Sequence, residues 1–411
     1  MRHLADRFRR ASPQLLTYFL ALAFMGVAGG CFHTSYNNWL DDSFHLGADA
    51  RGALEFPREM PGFLVALLTG MLAFLPETRV AGISGLLTCM GMVGLGLVDR
   101  NAGSSSAWTW MVLFTVLWAT GTHVVMPVTS AIAMSLAKQE RRGRRLGQAS
   151  GVGAAATIIG AAFVWVISAG RDTPPYWLIY IVGGAMALVA AVLFFRMRDV
   201  GRQTARPRMV VRREYWLFYV LSLLFGARKQ LFITFGPWVL IKVFNQPVTT
   251  FAILGIANAL LTVFTSPYLG NLIDRWGERK MLVLDGLILV AICLGYGDAH
   301  RLRTPGIYVA FACFVLDQVM FGFGNARATY LAKIAHAPEH VTASLSLGIS
   351  LDHAVSMTLP AVGGIVWMKY GHQWVFYGGA VLALLNAVFA SLIRVPRGAH
   401  MAAEVPAEAA E

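Results

Sequence analysis

Twelve apolar runs, each about 17 to 30 residues long, fill most of this 411-residue chain. A helix needs about 20 such residues to cross the hydrocarbon core of a bilayer. The runs fall at about 14–39, 52–75, 80–98, 107–135, 149–169 and 175–195, then at about 214–243, 248–272, 281–297, 304–331, 342–368 and 373–393. A polar, basic stretch at 196–213 separates the first six from the last six. Hydrophobic residues make up 56% of the chain and charged residues only 14%, against about 25% in soluble domains. That balance excludes a soluble enzyme, a coiled coil and a disordered scaffold. The alternation of a membrane β-barrel is also absent. The predicted fold class is an all-α membrane protein of twelve transmembrane helices in two pseudo-symmetric six-helix bundles, 1–195 and 214–397. A cytoplasmic linker at 196–213 joins them, and a disordered, acidic tail at 398–411 follows.

The formal net charge of +12 would raise the question of nucleic acid in a soluble protein. Here the basic residues lie between apolar runs, so no nucleic-acid partner is expected. About 24 Lys and Arg fall on the side of the termini, about 8 on the other and two within a span. By the positive-inside rule both termini are expected in the cytoplasm, with the protein integral to the plasma (bacterial inner) membrane. The linker arginines, among them Arg202, Arg206 and Arg208, anchor this topology against anionic lipid. Cys31, Cys89, Cys293 and Cys313 all sit inside apolar runs without metal-ligand spacing, so neither a disulfide nor a metal is expected. No phosphate loop or hydrolase motif appears, and the expectation is no cofactor and no enzyme.

The two halves repeat weakly. Gly70, Leu72 and Arg79 follow the second run as Gly270, Leu272 and Arg279 follow the eighth. Tyr36-Asn37-Asn38-Trp39 matches Phe235-Gly236-Pro237-Trp238 in spacing. A six-helix unit used twice is a transporter architecture, with its ligand site between the repeats near the midplane.

The segment Gly270-Asn271-Leu272-Ile273-Asp274-Arg275-Trp276-Gly277-Glu278-Arg279-Lys280 resembles the major facilitator superfamily signature G-x-L-x-D-R-x-G-x-x-R/K. With twelve helices and a basic central loop, the resemblance covers nearly the whole chain. It implies secondary transport by alternating access, a small-molecule substrate and a monomer. It also implies a conformational latch built from Gly270, Asp274, Arg275, Gly277, Arg279 and Lys280. Gly270 is expected to bring two helices close, and Asp274 to face a helix N-terminus. The first-half counterpart departs from the pattern, with Phe74 in place of the Asp. The G-P-x-x-G-G run of drug-proton antiporters is missing from the fifth segment, and a partial echo, Pro360 to Gly364, sits in the eleventh.

Ionisable residues at membrane depth are costly and mark function by default. Arg228 and Lys229 lie about 20 Å into the seventh segment, counted at about 1.5 Å per residue. The expectation is that at least one of them, with Gln230, captures an anionic substrate group. Glu55, Arg58 and Glu59 share one face of the second segment. They are expected in its outer half, as a gate, a proton site or a self-satisfied triad, with Pro57 and Pro61 lifting the segment towards water. Asp317-Gln318 in the tenth segment and Asp352-His353 in the eleventh fall near the midplane, with Asn325 and Arg327 nearer the cytoplasm. The two acids, with His353, are candidate proton carriers, or else the neutralising partners of Arg228 and Lys229. His123, Tyr36, Asn37 and Gln318 complete the candidate pocket, and His33 is a weaker candidate.

The expected function is proton-coupled secondary transport of a small organic anion or anionic amphiphile. The alternatives are proton-driven efflux of hydrophobic or cationic compounds and a transporter-like sensor that binds without moving its ligand.

Overall fold

The computed structural model describes residues 12–72, 74–98, 105–138, 141–199 and 211–395. Most of the linker and the acidic tail lie outside the described residues. Twelve helical units run in chain order. α1 spans Pro13–Phe44, and α2 is built from three pieces, Ala48–Ala53, Glu55–Phe63 and Val65–Met71. α3 is Glu77–Leu97, α4 Ser105–Ser135, α5 Arg142–Ser168 and α6 Tyr176–Arg196. The second half opens with α7, Trp216–Lys242, and α8, Val248–Trp276. α9 is Glu278–Asp298. α10 comprises Thr304–Met320 and Asn325–Ile334, joined by a 3-10 turn at Phe321–Gly324. α11 is Pro338–Tyr370 and α12 His372–Ser391.

Inside a bilayer every backbone polar group must be bonded within the protein, and helices do this within one segment. Eleven of the units are long and apolar enough to cross a membrane. α2 completes the set in pieces because Pro57 and Pro61 remove backbone donors and the chain relaxes at Leu54 and Leu64. α1 starts cleanly at Ser12, whose side chain accepts from the Leu15 N–H at 3.3 Å, with Pro13 in the first turn. It runs past its apolar part through Asp41, Asp42 and Ser43 to a left-handed His45, so it ends later than the predicted 39.

The helices form two six-helix bundles. α1, α3, α5 and α6 pack together in the first, and α7, α9, α11 and α12 in the second. One end of the molecule carries the start of α1 and the end of α12, and is called the terminal face below. On the opposite face the bundles are sealed. A Cβ on Gly52 would lie 2.1 Å from the Pro360 carbonyl oxygen, and one on Gly364 would lie 2.4 Å from the Ala48 carbonyl oxygen. α2 and α11 therefore meet backbone to backbone, which only glycine permits. The Asn38 amide donates to the Gln246 carbonyl at 3.0 Å, and Lys242 pairs with Asp41.

The terminal face is parted. In α8 the residues from Val248 to Leu254 are mostly buried, but Leu260, Leu261, Thr262, Val263 and Phe264 are all exposed. Five successive helical residues point in every direction, and all five are exposed. Gly270 has no atom within 4 Å of an added Cβ, which corrects the expectation of a close helix approach there. Gly277 is the single residue between α8 and α9, at φ +79°, a conformation that suits glycine.

Candidate functional site

Two polar clusters lie at the depth where charge is costly. The first spans the seam between the bundles. Glu55 is fully buried and accepts bonds from three side chains. Arg51 pairs with its Oε1, while Arg58 Nε and Gln230 Nε2 each donate to Oε2 at 2.6 Å. Arg58 Nη2 also lies 3.0 Å from Glu59 Oε1. Glu59 Oε2 then meets His353 Nδ1 at 3.0 Å and His123 Nε2 at 3.9 Å. Arg51 further donates to the Asn37 side-chain oxygen at 3.0 Å. The chain of contacts runs from α1 and α2 to α4, and across to α7 and α11.

The second cluster lies within the second bundle. Arg228 Nη1 is 3.4 Å from Asp285 Oδ1, and its Nη2 is 4.0 Å from Asp317 Oδ1. All three side chains are buried. Gln318 Nε2 donates to Asp317 Oδ2 at 3.3 Å. Beside them Lys229 Nζ holds Asp352 Oδ1 at 2.7 Å, and the Ser356 hydroxyl donates to the same oxygen at 3.2 Å. Arg327 stacks its guanidinium on the Phe225 ring, 3.6 Å from the centroid. Among the described residues no carboxylate lies within 4.0 Å of it, and its Nε has no hydrogen-bond partner.

Several expectations need correction. Glu55, Arg58 and Glu59 do not sit at a watery outer mouth, for all three are buried. α2 begins at Ala48, earlier than the predicted 52, and α11 packs over it through Gly52 and Gly364. Arg228 and Lys229, expected to offer at least one cation to a substrate anion, each face carboxylates, Asp317 and Asp352 among them. The predicted balance of two cations against two acids becomes three against three. Asp285 and Arg327 complete it, and Asp285 was missed. Its signal was plain, a lone acid in the apolar run at 281–297. Arg51, just before the second predicted run, was missed too, because only tertiary packing buries it.

Tyr36 is not a free pocket wall, since its ring stacks on Phe32 at 4.5 Å and its hydroxyl shares a bond with Thr115 at 3.1 Å. Gln230 is buried and committed to Glu55. His33 is exposed and meets Trp118 edge-on at 5.6 Å. The latch residues lie apart from both clusters. Asp274, Arg275, Arg279 and Lys280 are exposed. The acid that is engaged here is Glu278, buried and paired with Lys333 of α10 at 2.6 Å. Phe74, at the first-half position where Asp was expected, is 75% exposed.

Beyond the seal, a crevice of about 580 Å³ opens between the bundles on the face opposite the termini, lined by Asn38, Asp41, Asp172, Asn245 and Gln246 among others.

Twelve spanning helices in two bundles, parted on one face and sealed on the other around buried ion pairs, define a secondary transporter working by alternating access. The chain belongs to the Major Facilitator Superfamily, whose profile matches residues 59–351 and again 217–410. It is 24% identical over 340 residues to YybF of Bacillus subtilis (strain 168), described as an uncharacterized MFS-type transporter, covering 78% of this chain and 79% of that protein. Over 156 residues it is 26% identical to Multidrug resistance protein 2 of the same strain, covering 36% of this chain and 35% of that protein. In three dimensions it is similar to the crystal structure of the nucleoside transporter NupG, with a TM-score of 0.73 at 14% identity. That match covers 94% of this chain and all of the other, and speaks for the fold alone.

Proposed function

We propose that this transporter couples the movement of a small organic anion to a proton, and that Arg327 receives the anionic group. The observation that carries this reading is the state of Arg327. It is a cation packed on an aromatic ring beside the parted half of the molecule, with no carboxylate within 4.0 Å among the described residues. The cluster sets Arg228, Lys229 and Arg327 against Asp285, Asp317 and Asp352, so these six groups are formally neutral together. An arriving anion adds one negative charge at membrane depth, where uncompensated charge is costly. A proton on the Asp285–Asp317 pair restores neutrality, and two acids held loosely by one guanidinium are suited to take it. Proton and anion thus enter and leave together, which is coupling by charge balance. Arg228 and Lys229 hold the acids in place rather than touching substrate first.

The terminal face is the cytoplasmic one in this reading, supported by the excess of Lys and Arg there. The conformer described is then open to the cytoplasm. The protein sits in the bacterial inner membrane as a monomer, with its linker arginines against anionic lipid.

The test is proton flux in liposomes holding the purified protein, with a panel of organic anions, cations and neutral compounds. Anions should evoke proton movement. Arg327→Ala should lower that flux at least about tenfold, since a charge-assisted hydrogen bond contributes about 1.5–3 kcal/mol. Asp317→Asn should abolish the proton movement while anion binding persists. Flux evoked by hydrophobic cations and untouched by Arg327→Ala would replace this reading with proton-driven efflux, which the partial similarity to Multidrug resistance protein 2 favours. Binding with no net movement would leave a sensor.

A further inference from the structure

We propose that Glu59, His123 and His353 form a binding site for a divalent transition-metal ion that bridges the two bundles. Glu59 comes from α2 and His123 from α4, both in the first bundle, while His353 comes from α11 in the second. One ligand atom from each lies within 4.8 Å of the other two. In a tetrahedral site with bonds of about 2.0–2.1 Å, neighbouring ligand atoms are about 3.3 Å apart. The observed 3.0 Å and 3.9 Å from Glu59 Oε2 to the two imidazoles straddle that value. The rings converge because residue 62 has no side chain. A Cβ on Gly62 would lie 2.5 Å from His353 Cε1 and 2.6 Å from His123 Cδ2.

Orientation adds a second, independent observation. His123 Nδ1 is 2.8 Å from the Ala119 carbonyl oxygen, which can only accept, so Nδ1 carries the hydrogen. In the neutral ring Nε2 then has a free lone pair, and it points at the Glu59 carboxylate. Two lone-pair atoms facing each other attract only with a positive charge between them, and their separation of 3.9 Å is too long for a shared proton. A carbonyl-held histidine presenting its other nitrogen is also the usual outer-shell arrangement of a metal ligand. Arg58 occupies Glu59 Oε1, and at Oε2 the ion would take the place of the hydrogen now shared with His353 Nδ1 at 3.0 Å. Two imidazoles and one carboxylate suit Zn²⁺ or Co²⁺, with a fourth position open.

The ion would act as a clamp. Its ligands come from both sides of the seam, so it binds the conformer sealed opposite the terminal face and must be released when α2 and α11 part. A ligand that prefers one conformer shifts the equilibrium towards it. Zn²⁺ at saturating concentration should therefore slow turnover.

The test uses the purified, tag-free full-length protein in detergent, titrated with Co²⁺ and followed by visible absorption, with Zn²⁺ competition. The expected result is one ion per chain, with affinity falling at least about tenfold in His123→Gln and again in His353→Gln. His336→Gln, remote from the cluster, should bind as the parent does. Elution volume and melting temperature without metal show whether each variant is folded. Absence of saturable binding to the parent, or binding that folded His123→Gln and His353→Gln variants retain in full, would overturn the site. This readout needs no transport and is independent of the anion reading.

Discussion

The two charged clusters are built from the same residue types and held in opposite ways. Around Glu55 the contacts are short, the side chains are buried, and two of the contacts, Gln230 to Glu55 and His353 to Glu59, cross between the bundles. Around Arg228 the contacts are long, at 3.4 and 4.0 Å, and stay within one bundle. The first cluster ties the bundles in the conformer described. In the proposed function the second holds charge in a state that a proton or a ligand can change. A buried, hydrogen-bonded ion network gives definition to a structure, whereas a loosely satisfied one keeps its charge available.

The sharpest way to break that contrast is Glu55→Ala. It strands Arg51 and Arg58 in a buried site, and removing one partner of such a network costs about 3–5 kcal/mol. The melting temperature of the purified variant should fall well below that of the parent, further than in Asp317→Asn. If the two variants melt alike, the distinction between the clusters fails. Gly52→Leu is next in size. Its side chain meets the Pro360 carbonyl, so the seal must open or strain, at about 1–3 kcal/mol for overpacking. Hydrogen exchange in α2 and α11 should rise, and unchanged protection would mean the seal does not depend on this approach. The smallest effect belongs to Asp41→Asn. Its partner Lys242 is 32% exposed, and pairs near water contribute about 0–1 kcal/mol. A stability loss as large as that of Glu55→Ala would place a main support of the seam at its edge instead.

Local features of the chain are legible in its sequence, and contacts between distant helices are not. The spans are legible because apolar length is a local property. α2 reads a few residues late, since its start at Ala48 depends on packing against α11. The charged residues of α2, α7, α10 and α11 stand out in apolar runs, and the alternative in which Asp317 and Asp352 neutralise Arg228 and Lys229 is the arrangement found, but the contacts that cross between the bundles do not follow from the pattern. Arg228 shares two acids, one of them 57 residues away, and Glu59 reaches His353 across 294 residues. Asp285 was overlooked although its run contained the signal.

By itself, then, the sequence determined that this chain spans a membrane twelve times in two repeated halves and places charge at depth. Hydrophobic length and charge placement are written residue by residue, and a bilayer leaves helices as the available answer. Which charges meet across distant helices was decided by tertiary structure. So were the stacking of Arg327 on Phe225, the burial of Glu55 and the meeting of two histidines over Gly62. Such contacts depend on how the helices cross and which glycines let them approach, and on the face at which the bundles close.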